Sequence, residues 1–138
     1  EKLSNVEVVS DDKIKSQVLK KSIFAIVKSG TVSLDVCKNN IPSMIIYKMN
    51  FFNYHLAKFL LKIKYVNMIN IINNKEIIPE LLQNECNSNE IYKTFYYFMK
   101  KPNLMKEQMS VVKNTIDDLK SSTSASDQAS KVILSYLA

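Results

Sequence analysis

The sequence predicts an α/β fold in which a parallel sheet with flanking helices is followed by carboxy-terminal helices. Short strand-like runs alternate with amphipathic segments through the first half of the chain, and helical spacing alone continues from Ser88. The only glycine, Gly30, lies between a strand-like run and a helix-like one. Strands that alternate with helices are typical of doubly wound sheets. We therefore divide the chain into an α/β part, residues 1–87, and a helical segment, residues 88–138.

Four strands are predicted in the first part, at residues 6–9, 23–27, 44–47 and 65–69. The continuous apolar run at residues 23–27 is typical of a strand covered on both faces. Asp11 and Asp12 indicate the start of a helix over residues 13–21. A second helix is expected after Thr31, and an amphipathic third one over residues 51–63.

The second part is predicted to be helical throughout. One apolar stripe has Ile91, Phe95 and Phe98, and a second has members at alternating steps of four and three. That second stripe consists of Met105, Met109, Val112, Ile116 and Leu119. Residues 121–126 form a polar break, and a last helix carries Ala129, Val132, Ile133 and Tyr136.

The composition is that of a folded protein of one ordinary domain. Of the 138 residues, 46% are hydrophobic and 23% are charged, and the net charge of +6 comes from lysine without arginine. This charge suits phosphate-bearing ligands, nucleic acid or an anionic membrane surface, and it does not choose among them. Cys37 and Cys86 have neither metal-binding nor redox-pair spacing, so a reduced cytosolic setting is expected. The chain has no initiator Met and no signal peptide, and we expect its beginning to lie in a longer protein.

Gly30 marks a candidate anion site. A chain with a single glycine is expected to need it for a geometry that a Cβ would block. Together with Ser29 and Thr31, this strand-to-helix turn would aim backbone N–H groups, a helix dipole and two hydroxyls at one point. Ligands of open α/β sheets bind at the carboxyl ends of the strands. The alternative is that Gly30 relieves a tight turn while Ser29 caps the helix.

Two further features would face the same point. Asp35 follows Thr31 by one helical turn and is placed to accept hydrogen bonds from a ribose diol, or else to complement the helix dipole. Asn70 is expected to end a strand with its amide at the same end of the sheet as Ser29. Asn73 and Asn74 supply a left-handed turn, and residues 79–83 begin a helix at Pro79. The alternative for this second stretch is a capped loop followed by a helix.

These stretches together resemble lipid-A-disaccharide synthases, bacterial glycosyltransferases that join two acylated glucosamines. The resemblance covers residues 5–90, with weaker helical similarity beyond, and the order and spacing of the matches need no gap. The matches are Ser29-Gly30-Thr31 with an acid at position 35, Tyr47-Lys48-Met49, Leu56-Ala57-Lys58, Lys64-Tyr65-Val66, Asn70, and Glu76 with Pro79-Glu80-Leu81-Leu82-Gln83. Three positions differ from the residues that the family usually has there. Asp35 stands in place of a Glu, Ile69 in place of a proline, and Lys75 in place of an arginine.

The resemblance implies the later part of a Rossmann-like donor-binding domain in an inverting glycosyltransferase that needs neither a metal nor another cofactor. The enzyme would transfer 2,3-diacylglucosamine from its UDP carrier to 2,3-diacylglucosamine 1-phosphate (lipid X) and release UDP. The implied site residues are Ser29, Gly30 and Thr31 for the diphosphate, Asp35 for the ribose, Asn70 as the catalytic residue, and Glu80 and Gln83 at the nucleotide pocket. Lys48 and Lys75 are the candidate cations for the departing diphosphate.

The resemblance also implies partners and a location. The amino-terminal domain of the same enzyme would supply the acceptor site and the general base, so this chain alone would be inactive. A homodimer with exchanged carboxy-terminal segments is expected, at the cytosolic face of the inner membrane. Residues 51–63 would anchor there or else pack in the core, and His55 is interpreted as a surface or interface residue.

Two rival functions remain open at this point. One is a non-catalytic basic module that binds nucleic acid, which the scattered lysines and the absence of a stacking platform disfavour. The other is a fragment that mediates assembly through its helices.

Overall fold

The computed structural model describes residues 5–50, 64–119 and 125–136. The strands of its sheet are Ala25–Lys28 (β1), Ser43–Tyr47 (β2) and Glu80–Leu82 (β3). The described helices are Asp12–Lys21 (α1), Thr31–Lys38 (α2), Met68–Asn73 (α3), Ser88–Lys100 (α4), Pro102–Asp118 (α5) and Ala125–Ser135 (α6), with a 3-10 turn at Gln83–Glu85. The predicted α/β architecture followed by carboxy-terminal helices is confirmed.

The sheet is parallel and has the order β1-β2-β3. Ala25 pairs with Ser43, and Ile45 pairs with Glu80. Because all three strands run the same way, the residues that follow them (Ser29, Lys48 and Gln83) lie at one end of the sheet. We call this the carboxyl end, and the opposite one the amino end.

The core lies between the central strand and three helices. Ile45 of β2 is fully buried in a cluster with Cys37 of α2, Ile69 of α3, Ile78 and Val112 of α5. Helix α5 packs on both α2 and α3. The burial of these apolar side chains supplies the main favourable term for folding.

Helix α5 is fastened to the sheet by a buried amide. The Gln108 side chain accepts a hydrogen bond from the Ser43 N–H at 2.8 Å and donates to the carbonyls of Ser43 and Ile77, each at 3.1 Å. Gln108 is only 5% exposed. The helical segment is thereby packed directly onto the amino end of the sheet.

Several local predictions are confirmed. The Asp11 carboxylate caps α1 by accepting from the N–H groups of Lys13 and Ile14. Helix α2 begins at Thr31 and helix α4 at Ser88. Asn74 ends α3 in the left-handed conformation with φ of 46°, the backbone geometry that asparagine tolerates better than most residues.

Two predictions near the start of the chain are wrong. Residues 6–9 form no strand, and Val8 is 87% exposed, because no neighbouring strand pairs with them in the described sheet. The run at residues 23–27 is not covered on both faces, since burial alternates along β1 and Ile26 is 45% exposed. The side chains of Ile26 and Lys28 are thus exposed on one face of β1, while Ala25 and Val27 on the other face are partly buried.

Two predictions for residues 65–83 are also wrong. Residues 65–69 do not form a strand, because the Asn67 side chain accepts from the Ile69 N–H and caps α3. No helix begins at Pro79, since Glu80–Leu82 pairs with β2 as β3. Tertiary pairing with a central strand decides the conformation of this short apolar segment over its local helix signal.

The helices of the second half only partly follow their predicted stripes. The buried face of α5 consists of Gln108, Val112 and Thr115, whereas Leu119 is 51% exposed. Helix α6 includes residues 125 and 126, which were assigned to the polar break. Residues 51–63, with the predicted amphipathic helix and His55, lie outside the described residues, as do residues 120–124. None of the described helices combines the length and apolar character that crossing a membrane requires.

Candidate functional site

The turn after β1 presents the amino terminus of α2 at the carboxyl end of the sheet. Gly30 precedes the helix with φ of 139° and ψ of −163°. Only glycine adopts this region without strain. No side chain of the described residues caps α2, so the positive end of its dipole faces outward.

The reason for glycine is backbone conformation and not lack of space. A Cβ placed on Gly30 would meet nothing within 4 Å, so the predicted need for glycine arises from the positive φ of 139° and not from a neighbouring atom. The space above Gly30 belongs to an open cleft of about 340 Å³ lined by residues 26–32. A ligand group is therefore able to approach the backbone of the turn directly.

Ser29 holds the turn in place. Its hydroxyl donates to the Val66 carbonyl at 2.9 Å, so Ser29 does not cap α2. The hydroxyl of Ser33 donates to the Gly30 carbonyl at 2.6 Å and accepts from the Asn67 amide at 3.3 Å. These bonds link the turn to residues 66–67, just before α3, and leave Thr31 exposed at the first position of α2.

Two lysines lie beside the turn. Lys28 ends β1 and lines the cleft above Gly30. It also lines a neighbouring cleft of about 260 Å³ together with Tyr47, Lys48 and Cys86. The Lys28 Nζ lies 5.1 Å from the centre of the Tyr47 ring. The structure thus brings the predicted Lys48 to the carboxyl end and adds Lys28, which sequence reasoning missed although its position directly before Ser29 could have indicated it.

Asp35 is exposed one helical turn after Thr31. Its backbone carbonyl accepts from the backbone and side-chain N–H groups of Asn39. Its position on α2, on the same side of the helix as Thr31, is compatible with a ligand that extends along the helix from the turn.

Glu80 is buried and supports the turn indirectly, through hydrogen bonds to residues 66–67. Its carboxylate accepts from the N–H groups of Val66 and Asn67, both at 2.9 Å, and from the Asn70 amide at 2.8 Å. The residue is 8% exposed. Because the Val66 carbonyl accepts from Ser29, Glu80 fixes the peptide that positions the turn.

Asn70 does not end a strand, and its amide does not point out of the sheet. It lies in α3, is fully buried, and accepts from the N–H groups of Ile77 and Ile78 while donating to the Ile78 carbonyl and to Glu80. Both atoms of the amide are engaged in these bonds. Asn70 therefore holds the chain that enters β3 and orients the Glu80 carboxylate.

Gln83 clamps the segment that leaves β2. Its amide accepts from the Met49 N–H at 2.8 Å and donates to the Met49 carbonyl at 3.2 Å. The residue has a φ of 51°. It fixes the path of the chain just after Lys48, at the carboxyl end.

Lys75 is not brought together with the other candidates. It lines a cleft of about 540 Å³ at the amino end, with Pro79, which precedes β3, and Gln108, which binds the first residue of β2. Ser29 and Lys48 lie at the opposite end of the same strands. The structure therefore separates Lys75 from the turn.

The titratable groups of the described residues form no metal-binding cluster of three or more His, Cys, Asp or Glu side chains. Burial raises the pKa of the Cys37 thiol to about 11. Cys86 is a partly buried free thiol at the carboxyl end. Within the described residues, the positive groups that line the two clefts at this end are Lys28, Lys48 and the amino terminus of α2.

A protein-family model described as lipid-A-disaccharide synthetase matches residues 1–133 of this sequence. The chain belongs to the lipid-A-disaccharide synthetase family. The sequence resemblance is confirmed by this match over nearly the whole chain.

Curated relatives of the family come from several bacteria. The lipid-A-disaccharide synthase of Rickettsia bellii is 34% identical over 128 residues, which are 91% of this chain and 33% of that protein. Lipid-A-disaccharide synthase 1 of Legionella pneumophila is 37% identical over 103 residues, 75% of this chain and 26% of that protein. The Rickettsia conorii synthase is 45% identical over 67 residues, 49% of this chain. The chain spans about a third of the length of the Rickettsia bellii protein.

Proposed function

We propose that this chain supplies the UDP-binding part of a lipid-A-disaccharide synthase. The whole enzyme transfers 2,3-diacylglucosamine from UDP to lipid X. The observation that carries the proposal is the turn at Gly30: a positive-φ glycine, an uncapped helix terminus within the described structure, and an open cleft above them. The family match supports the same assignment.

The reaction requires positive charge where the donor breaks. A hydroxyl of the acceptor attacks the anomeric carbon, the bond from that carbon to the diphosphate oxygen breaks, and UDP departs with the bonding electrons. The proton of the hydroxyl passes to a base outside this chain. Groups fixed beforehand around the diphosphate stabilise the charge that develops on it.

The residues at the carboxyl end divide these tasks. The N–H groups at the start of α2 and the Thr31 hydroxyl bind the diphosphate, and the ammonium groups of Lys28 and Lys48 neutralise its charge. Asp35 accepts hydrogen bonds from the ribose hydroxyls. The lysines act as point charges, without the two-pronged bonding that arginine offers.

A second group of residues positions these binding groups without touching UDP. Glu80 and Asn70 fix residues 66–67, to which Ser29 is bonded, and Gln83 fixes the chain after Lys48. We assign Asn70 this positioning role because its amide is fully buried. Lys75 has no part in the proposed UDP site, since it lies at the amino end.

The proposed function also requires partners. The amino-terminal domain of the same enzyme supplies the acceptor site and the base. The complete enzyme acts as a homodimer at the cytosolic face of the bacterial inner membrane, where both acylated substrates reside. These assignments follow from the chemistry of the substrates and from the family.

Binding of UDP tests the proposed site directly. Calorimetric titration should show that the chain binds UDP more tightly than uridine, because only UDP carries a diphosphate. Thr31→Val removes one hydroxyl and should weaken UDP binding about fivefold to tenfold while leaving uridine binding unchanged. The control is Thr94→Val, the same change in α4, which packs on Phe24 at the other end of β1. Equal affinity for UDP and uridine would contradict the proposal.

Catalysis is tested in the complete protein that carries this chain. Gly30→Val should abolish most disaccharide formation, because a β-branched residue does not adopt φ of 139°. Product is measured with UDP-2,3-diacylglucosamine and lipid X. Undiminished product formation by the folded variant would refute the assignment of the turn.

A further inference from the structure

Helix α4 carries an unusual outer surface. Five exposed side chains of α4, together with that of Lys101 directly after it, form two rows at four-residue spacing, Tyr92–Tyr96–Lys100 and Lys93–Tyr97–Lys101. Tyr92 is 63% exposed, Tyr96 49% and Tyr97 48%. We call these six residues the tyrosine–lysine face.

The opposite side of α4 serves as core. Phe95 and Phe98 contact the Phe24 ring, with ring centres 5.5 and 5.6 Å apart, and Phe98 is 7% exposed. Packing of the helix is therefore achieved by its phenylalanines. The three tyrosines are far more exposed than Phe98, although Tyr97 also contacts the Phe98 ring with centres 6.4 Å apart.

Side-chain contacts organise the tyrosine–lysine face. The rings of Tyr92 and Tyr96 stack with centres 6.0 Å apart. The Lys100 Nζ lies 5.4 Å from the centre of the Tyr96 ring, and the Lys101 Nζ lies 4.2 Å from that of Tyr97 and donates to its hydroxyl at 3.0 Å. Each tyrosine thus has a ring or an ammonium group against it.

We propose that the tyrosine–lysine face binds the surface of an anionic lipid bilayer. Tyrosine places its ring at the level of the headgroups with its hydroxyl toward water. Lysine buries its methylene stem and extends its ammonium group to lipid phosphates. Three lysines face one acidic partner, Glu90, which forms an ion pair with Lys93. The surplus of positive charge complements an acidic membrane.

The ring contacts favour a bilayer over single-stranded nucleic acid. Stacking of bases requires free ring faces. Here Tyr92 and Tyr96 cover each other, and Lys100 and Lys101 lie over the rings of Tyr96 and Tyr97. The three tyrosines nevertheless keep between 48% and 63% of their surface exposed, and interfacial insertion needs such accessible rings.

This surface goes beyond the proposed UDP site and is separate from it. The face begins at Tyr92, six residues past Cys86 of the carboxyl-end cleft, and ends at Lys101 where α5 starts. None of its six residues lines the cleft above Gly30. Loss of membrane binding would therefore leave UDP affinity intact, and loss of the UDP site would leave membrane binding intact.

Vesicle sedimentation with the full chain tests the proposal. We expect binding to phosphatidylglycerol vesicles, little binding to pure phosphatidylcholine vesicles, and weakening at high salt. Lys100→Gln with Lys101→Gln should reduce the partition coefficient at least tenfold, since about 1 kcal/mol per lysine is typical near an acidic surface. The matched control is Lys13→Gln with Lys15→Gln, which removes the same charge from the exposed surface of α1. Calorimetric UDP titration of each variant shows that the UDP site persists.

Fluorescence locates the contact on the helix. The chain has no tryptophan, so Tyr96→Trp introduces a single reporter that retains an aromatic ring for Lys100. Its emission should shift to shorter wavelength with phosphatidylglycerol vesicles and should be quenched by brominated lipid. Val8→Trp, at a residue 87% exposed outside α4, should show neither effect.

Three results would overturn the proposal. One is failure of the chain to bind phosphatidylglycerol vesicles. Another is an equal loss of binding in the Lys13/Lys15 and Lys100/Lys101 variants, which would reveal unspecific attraction. The third is tight binding of single-stranded RNA that Tyr92→Ala with Tyr96→Ala abolishes, which would assign the face to nucleic acid instead.

Discussion

The turn after β1 and the junction between α3 and β3 both carry family motifs, yet their side chains are used in opposite ways. At the turn, Thr31 and Lys28 are exposed and Gly30 lies beneath an open cleft. At the junction, Asn70 is fully buried, Glu80 is 8% exposed, and each is held by several hydrogen bonds. Substitutions at the junction should therefore change stability, and substitutions at the turn should change binding of ligands.

The largest effect is expected at the closed junction. Glu80→Ala leaves the N–H groups of Val66 and Asn67 and the Asn70 amide without their acceptor. Because buried donors that lose a partner cost about 1–3 kcal/mol each, the free energy of unfolding should fall by about 4 kcal/mol. Urea denaturation followed by circular dichroism measures it. Glu107→Ala, at an exposed position of α5, should change it by less than about 0.5 kcal/mol.

A change of one atom tests the same junction more finely. Asn70→Asp preserves shape but turns a donor toward the Ile78 carbonyl and Glu80 into a charged acceptor. We expect a loss of about 3 kcal/mol, typical of an uncompensated buried charge, measured by the same denaturation. Asn89→Asp, in the first turn of α4, is exposed and should be nearly neutral. If Asn70→Asp and Asn89→Asp were equally stable, the buried hydrogen bonds of the Asn70 amide would be contradicted.

At the turn, a smaller loss of stability should accompany a loss of binding. Gly30→Ala should lower the free energy of unfolding by about 1–3 kcal/mol through backbone strain. Gly30→Asn should cost as much, because asparagine tolerates the left-handed helical region but not φ of 139° with ψ of −163°. Both variants should weaken UDP binding in calorimetry. If Gly30→Asn restored the stability and UDP affinity that Gly30→Ala loses, the backbone conformation described for Gly30 would be contradicted.

The two cysteines offer the mildest test, without any substitution. Cys37 is buried with its pKa raised to about 11, so at pH 8 it should stay unmodified by a thiol reagent until the chain unfolds. Cys86 lines the cleft with Lys28 and Lys48 and should react in the folded state. Bound UDP should slow the reaction of Cys86, measured by mass spectrometry, and leave Cys37 unchanged. If saturating UDP left the reactivity of Cys86 unchanged, the cleft that Cys86 lines would not belong to the UDP site.

Sequence patterns predicted those elements whose signals are local. The Asp11 cap, the helix after Thr31 and the αL conformation of Asn74 depend on the residue and its immediate neighbours. Patterns failed at residues 65–69 and at Pro79, where an asparagine cap and pairing with β2 decide the conformation. The alternation of buried and exposed side chains along β1 likewise depends on which face of the strand another element covers.

By itself, the sequence determined the α/β class, the family and the position of the turn at Gly30, because glycine, capping residues and motif spacing act through the backbone nearby. Only the tertiary structure decided which motif residues are buried and which line the clefts at the carboxyl end. It placed Asn70 and Glu80 inside and Lys75 at the far end, and it added Lys28 to the cleft. The physical reason is that burial and hydrogen-bond partners arise from segments distant in sequence, such as Glu80 with Val66 and Ser29 with Val66.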